Sequence, residues 1–248
     1  RGFMGGRLAL LPHQFYVAHQ IAERPIPRVL LADEVGLGKT VEAGLALHHL
    51  ILSERVKRAL IVVPDSLVYQ WFVEMLRKFN LIFTTLNQET HLEPDTNPFL
   101  DSDFVIVNIG LLKGAPMARE MMDRANWDVV VVDEAHQLKW SLEKASIEYQ
   151  IVERISKKSK GLFLLTATPE QLGLEGHFAR LKLIDPDRFF DYHKFLDEVS
   201  HYDSIAKKAK DLIAKKTQEA DHEIAKLQDL HGTGRIFFRN TRERMGAN

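Results

Sequence analysis

The sequence predicts an α/β fold, a doubly wound and mostly parallel sheet with helices on both faces, followed by a helical appendage. Three observations predict it. Short runs rich in Val, Ile and Leu recur at Arg28 to Ala32, Arg58 to Val63, Phe104 to Val107, Asp128 to Val132 and Gly161 to Thr166. Their unbroken apolarity is that of strands buried on both faces. Between them lie helical patterns at Lys39 to Ser53, Ser66 to Phe79 and Glu143 to Ile155, long enough to cross from one parallel strand to the next. The balance of charge is that of an ordinary folded chain, 33 Lys+Arg against 34 Asp+Glu over 248 residues, which excludes the disordered and small-scaffold classes.

The opening residues 1–6 lack the apolar segment and cleavage site of a signal peptide and are expected to be a linker or an expression remnant. The sheet-bearing lobe is expected at 7–198. Within it, Asn87 to Asp103 carries Pro94 and Pro98 and no clear period, which predicts a surface loop. After about Leu183 the strand signals stop. Ile205, Ala209, Leu212, Ala220, Ile224 and Leu227 recur near the helical repeat with lysines between them, which predicts an amphipathic appendage over 199–230. The last segment, 231–248, sets one apolar patch, Ile236 to Phe238, among arginines and is expected to take no place in the sheet.

Without cysteine the chain has no disulfide framework, zinc ribbon or thiol nucleophile, and a reducing compartment, the cytoplasm, is expected. The longest apolar stretches, such as Ala59 to Val63 and Val129 to Val132, fall far short of the ~18 residues a membrane span needs, so no membrane partner is expected. A net charge of -1 leaves room only for local polyanion surfaces. Ile205 to Lys216 holds five Lys against one Asp, and Gly234 to Asn248 four Arg against one Glu.

The first apolar run leads directly into Asp33-Glu34-Val35-Gly36-Leu37-Gly38-Lys39-Thr40 and then a helical pattern, the strand-loop-helix context of a phosphate-binding loop. The glycines let backbone N–H groups approach phosphate oxygens, and a helix N-terminus favours an anion. Lys39 would reach the β- and γ-phosphates of ATP, and the Thr40 hydroxyl would bind Mg2+. A second run, Trp127 to Val132, delivers Asp133 and Glu134 to the end of a buried strand, where open α/β sheets bind ligands. Asp133 would hold Mg2+, while Glu134 would orient and deprotonate the water that attacks the γ-phosphorus. These features would also suit a small-molecule kinase or a nucleotide switch.

In order and spacing these residues resemble the nucleotide motifs of helicase superfamily two. Asp33 to Thr40 resembles the D-E-x-G-L-G-K-T form of its chromatin-remodeller-like (switch/sucrose-non-fermenting) branch of DNA translocases. Pro64-Asp65-Ser66-Leu67-Val68-Tyr69-Gln70-Trp71 resembles that branch's P-x-S-L-x-x-x-W motif, which implies that Ser66 lies along a nucleic-acid backbone. Leu164-Leu165-Thr166-Ala167-Thr168-Pro169 resembles the motif that couples ATP state to nucleic-acid binding, which implicates Thr166 and Thr168 and, beside the carboxylates, His136. Leu11-Pro12-His13-Gln14 resembles the adenine-reading motif, with Gln14 contacting the base. Taken singly, Gln14 is an ordinary solvated helix residue, Trp71 a core residue, and Thr166 and Thr168 a strand end. Val105 to Asn108 departs from the branch's Thr-Thr-Tyr pattern, so no DNA contact is assigned there.

Thr168 to Gly173, His177 to Leu181, Asp185 to Phe189 and Phe238 to Arg242 resemble the bacterial RNA-polymerase-associated ATPases of this branch. The resemblance implies a RecA-like P-loop NTPase lobe that uses ATP and Mg2+, translocates on double-stranded DNA and helps RNA polymerase recycle from transcription complexes in the bacterial cytoplasm. Another remodeller-like or phage-defence DNA translocase ATPase is the alternative. It further implies a second lobe that supplies arginines to the γ-phosphate, toward which 231–248, with Arg239 and Arg242, would lead. The first lobe alone is then expected to be nearly inactive.

Overall fold

A computed structural model describes residues 12–25, 27–32, 38–166, 173–201 and 237–238. Helix α1 (Pro12–Ala22) precedes β1 (Arg28–Leu31), α2 (Lys39–Leu52), β2 (Ala59–Val63), α3 (Asp65–Phe79) and the short β3 (Thr84–Leu86). There follow β4 (Phe104–Asn108), α4 (Ile109–Gly114), α5 (Pro116–Arg124), β5 (Val129–Val132), a 3-10 turn (Ala135–Gln137), α6 (Ile147–Lys158), β6 (Gly161–Leu165) and α7 (Gly173–Ile184). Residues 192–201 are helical as well, and Phe237–Phe238 forms β7. Among the described residues no helix is long and apolar enough to cross a membrane.

The strands form one sheet in the order β3-β4-β2-β5-β6-β1-β7, and every pairing is parallel. Alternate strand residues face opposite sides, so each strand feeds two cores. Val29, Leu31, Ile61, Val63, Ile106, Val131 and Phe163 pack with α1, α2 and α3 on one face. Leu30, Leu60, Val62, Val105, Val130, Val132 and Leu164 pack with α4, α5, α6 and α7 on the other. This two-sided burial is why the central strands lack polar alternation. Helix α2 is buried nearly all round, from Val41 to Leu47, because α1 and α3 flank it as the sheet lies beneath. At its closest contact, a Cβ on Gly44 would stand 2.4 Å from the Phe79 ring of α3.

The opposite edge of the sheet is tied by charge and polar bonds. The Arg28 guanidinium, at the start of β1, donates to the carbonyls of Ile184 (2.7 Å), Leu183 (2.7 Å), Ser156 (3.0 Å) and Ser159 (3.2 Å). It thereby satisfies the C-terminal ends of both α6 and α7, whose last carbonyls have no intrahelical donor. Asp128, entering β5, accepts from the backbone N–H groups of Lys57 (2.9 Å) and Arg58 (3.1 Å) and from Lys160 Nζ (2.9 Å), and so links the starts of β2, β5 and β6.

The five expected strands and the expected two-faced architecture are present, with four differences. The apolar patch near the end of the chain does join the sheet, since Phe237 and Phe238 pair in parallel with Leu30 and Leu31; two residues leave no period to read. Edge strand β3 was not expected, because Thr84 and Thr85 are exposed and carry no apolar run. Helix α6 starts at Ile147, not Glu143, because the Ser146 hydroxyl accepts the Tyr149 N–H (3.2 Å) and caps it. The stretch before it turns back so that Trp140 bridges Ala145. The loop from Asn87 to Asp103 runs over the surface as expected but is pinned by Phe99, which is fully buried. The expected appendage from residue 202 onward lies outside the described residues.

Candidate functional site

Because all strand pairings are parallel, the C-terminal ends of β1, β2, β5 and β6 lie along one edge of the sheet. The segment after β1 reaches α2 through Gly38, which has φ +90°, a left-handed conformation that favours glycine. The Gly38 carbonyl accepts from the N–H groups of Val41 (2.8 Å) and Glu42 (3.0 Å) and so starts the helix. Lys39 and Thr40 form its first turn. Asp33, Glu34, Val35, Gly36 and Leu37 lie outside the described residues.

Gln14 comes to this place from α1. It is buried, and a Cβ on Gly38 would stand 2.2 Å from its Nε2. The side chain is therefore packed on the backbone at the helix start, where a solvated helix position was the plain expectation for the residue taken singly.

The carboxylates are set by β5. Asp133 follows its last residue and accepts two N–H donors, Trp71 Nε1 (2.8 Å) on one oxygen and the backbone N–H of Glu134 (2.8 Å) on the other. The Asp133 N–H donates to the Val62 carbonyl (3.0 Å). Burial pushes the Asp133 carboxyl above the usual carboxylate value, against the Trp71 and Glu134 bonds and the nearby charges of Lys39 and His136, which pull it down. Glu134 adopts φ 52°, rare for a residue with a side chain, and opens the 3-10 turn, with its carbonyl accepting from Gln137 N–H (2.9 Å). His136 Nδ1 lies 2.9 Å from Glu134 Oε2, and both side chains are about one-third exposed, at 34% and 29%. The two groups expected to serve hydrolysis and coupling are therefore neighbours.

Thr166 directly follows β6, and its N–H donates to the Leu31 carbonyl (2.9 Å) of β1. Its hydroxyl is buried and has no hydrogen-bond partner, an unmet polar atom between the strands that feed the phosphate loop and the carboxylates. Thr168 lies outside the described residues. Ser66 is exposed in the first turn of α3, on the same edge of the sheet, where a long anionic ligand could reach it.

Sequence reasoning missed three supporting residues. Trp71, expected in the core, is indeed 1% exposed, yet its indole also holds Asp133. Asn108 is buried, caps α4 by accepting the Gly110 N–H (2.6 Å), and donates to Asp65 Oδ1 (2.7 Å) at the start of α3. It thus braces the helix that bears Ser66. Arg180 of α7 is 2% exposed and reaches the turn after Glu134. It donates to the Ala135 carbonyl through Nε (3.1 Å) and Nη2 (2.8 Å), to the Leu138 carbonyl (3.0 Å) and to the Gly176 carbonyl. Burial lowers its guanidinium to about 10, against the neighbouring Tyr149, so it keeps its charge at neutral pH. In the sequence Trp71 stood in the P-x-S-L-x-x-x-W spacing, Asn108 in the segment that departs from the branch's pattern and Arg180 in the His177 to Leu181 resemblance, none of them with a role at the site.

The donor set suits Mg2+ with a nucleotide. Asp133 offers hard oxygen ligands with lone pairs remaining beside the two N–H bonds, and a cation would offset the burial of its charge. Thr40 is placed at the helix start, and Thr166 leaves a buried hydroxyl to be satisfied. Among the described residues no group of three or more His, Asp or Glu could hold a metal by itself.

The family model described as the SNF2-related domain matches residues 19–244. Similar curated proteins include the RNA polymerase-associated protein RapA of Vibrio atlanticus and that of Photobacterium profundum, each 44% identical over 98% of this chain and 29% of the relative. The chain thus spans less than a third of those relatives. Among solved structures, the Sulfolobus solfataricus SWI2/SNF2 ATPase core in complex with double-stranded DNA matches with a TM-score of 0.68 at 19% identity, covering 98% of this chain and 46% of that one. The Pyrococcus furiosus Hef helicase domain matches with a TM-score of 0.52 at 20% identity, over 68% of this chain and 35% of that one. At these identities the two structures speak for the fold.

Proposed function

Because this chain belongs to the SNF2-related domain family, we propose that it is the ATP-binding motor lobe of an ATP-dependent double-stranded DNA translocase acting on transcription complexes. The observation that carries the reading is the placement of Lys39 and Thr40, in the first turn of α2 after β1, on the same edge of the sheet as Asp133 and Glu134, which follow β5. Lys39 and Thr40 would bind the phosphates and the metal, Asp133 would hold Mg2+, and Gln14 would face the adenine. Bound Mg2+ would supply neutralisation of the charge that grows on the phosphate oxygens. Glu134, fixed at the turn, would accept the proton of the attacking water, and its contact with His136 leaves one carboxylate oxygen for that task.

Ser66 at the start of α3, braced by Asn108 through Asp65, supports a backbone-contacting role toward DNA. The P-x-S-L-x-x-x-W segment and Thr166 favour a nucleic-acid track over a small-molecule kinase, which has no use for one. RNA polymerase as partner follows the relatives named RNA polymerase-associated protein, and recycling of polymerase in the bacterial cytoplasm is the action proposed with it. In the full-length protein, phosphate release should rise with duplex DNA. Lys39→Ala should lose nucleotide affinity, whereas Glu134→Gln should keep it and lose turnover. Equal loss of binding in both variants, read by calorimetry, contradicts this division of roles, and ATP turnover blind to duplex DNA contradicts the translocase. Co-purification with core RNA polymerase tests the partner.

A further inference from the structure

Arg180 is a buried cation, 2% exposed. Among the described residues no carboxylate pairs with it, and its donors go to the carbonyls of Gly176, Ala135 and Leu138. Burying a charge in that way is costly, and the residues three and four positions further along α7, Leu183 and Ile184, show that this side of the helix is otherwise buried with apolar side chains. An ordinary helix-capping role does not account for it. Arg28 fills that role for the ends of α6 and α7, whereas three of the four bonds of Arg180 go to the turn that begins one residue after Glu134. The Ala135 carbonyl takes both Nε and Nη2, a fork that fixes direction as well as distance. On the other side, Asp133 is held by Trp71. Glu134 therefore sits between two clamps, in a left-handed conformation that short turns hold only when their surroundings over-determine it.

We propose that Arg180 is the positioning residue of the hydrolytic turn: its fork on Ala135 and Leu138 holds the Glu134 backbone, and with it the carboxylate, in the orientation that water activation needs. The inference rests on the reading of this chain as an ATPase lobe. Arg180 touches neither nucleotide nor water in this scheme and acts through Glu134 alone.

The test uses the full-length protein with Arg180→Met and Arg180→Lys, each alone and combined with Glu134→Gln. Binding of a fluorescent ATP analogue with Mg2+, KM and kcat for ATP with duplex DNA, and amide exchange at residues 134–138 are measured. Arg180→Met is expected to bind nucleotide within about two-fold of wild type, leave KM unchanged and lower kcat by roughly ten- to a hundred-fold. Exchange should quicken at 134–138. Arg180→Lys keeps the charge but not the fork and should restore part of kcat. In the Glu134→Gln background Arg180→Met should cost nothing further, since the two act as a unit. Should Arg180→Met fail to fold, Arg180→Lys carries the same kcat-against-KM comparison. A kcat within two-fold of wild type, a parallel loss of affinity and turnover, or additive losses with Glu134→Gln would each overturn the proposal while an active wild type leaves the ATPase reading standing. A wild type inert with and without DNA would instead overturn the ATPase reading, and this inference with it.

Discussion

Asp133 takes one fixed N–H on each oxygen, from Trp71 and from Glu134. Hydrogen bonds to a ligating carboxylate set which lone pairs remain for a cation, and removing such a bond typically weakens metal binding by about 10-fold or more. Trp71→Phe keeps the packing of a fully buried ring but deletes the donor. We expect a folded protein whose Mg2+ requirement for ATP binding rises by about 10-fold, measured by titrating Mg2+ against a fluorescent ATP analogue. An unchanged requirement would mean that the indole only fills space. The residue pair also shows why this contact was not legible in advance. Trp71 and Asp133 are 62 positions apart, and an indole in an amphipathic helix pattern reads as packing whether or not its N–H has a partner. Arg180 escaped for a related reason, because its partners are backbone carbonyls, which every residue carries and no sequence pattern marks.

Elements meet in this lobe through small residues and shared caps. A methyl on Gly44 would stand 2.4 Å from Phe79 Cε2 and 2.9 Å from the end of Met75. Gly44→Ala gains about 1 kcal/mol of helix propensity, but the buried Phe79 ring cannot move cheaply, and overpacking costs about 1–3 kcal/mol. The clash should win, with a melting temperature lower by a few degrees in thermal unfolding. Asp128 joins three strand starts. Burial pushes its carboxyl up, but the Lys160 side chain and the N–H groups of Lys57 and Arg58 outweigh that and hold it below the ordinary value. A carboxylate lowered on folding adds stability above its unfolded pKa, and that stability is lost as pH falls through the folded value. Asp128→Asn should therefore destabilise the protein near neutrality and flatten the fall in urea midpoint below about pH 4. Among the elements, the central strands were legible because burial on both faces leaves unbroken runs such as Val129 to Val132. The edges were not, since β3 and β7 are short and answer to partners far away in sequence. The shared edge of Lys39, Thr40 and the two carboxylates could be anticipated for the opposite reason, since they are chemically unusual residues beyond the ends of readable strands.

At the scale of the whole lobe, one edge of the sheet carries Lys39 and Thr40, the carboxylate proposed to hold the metal and the proposed base. In nucleotide hydrolases an arginine delivered from outside such a site contributes roughly 10³ to 10⁵ in rate. A polypeptide of this sequence alone is accordingly expected to bind ATP and to release phosphate at least about 10³-fold more slowly than the full-length protein, without stimulation by duplex DNA. Steady-state phosphate release with and without DNA checks it, and full-length turnover would place the arginine within these 248 residues. The strand order has a consequence of a different kind, for the sequence of events during synthesis. Strand β1 precedes the proposed phosphate loop in the chain, yet both of its neighbours, β6 and β7, are made long after it, while β2, β4 and β5 find one another earlier. A chain emerging from the ribosome can therefore assemble the carboxylate half of the site while its first strand still waits, unpaired and apolar, for a place in the sheet. Ribosome-stalled chains of increasing length should gain affinity for an ATP analogue only once Gly161–Leu165 has left the exit tunnel, although Lys39, Asp133 and Glu134 have all emerged before.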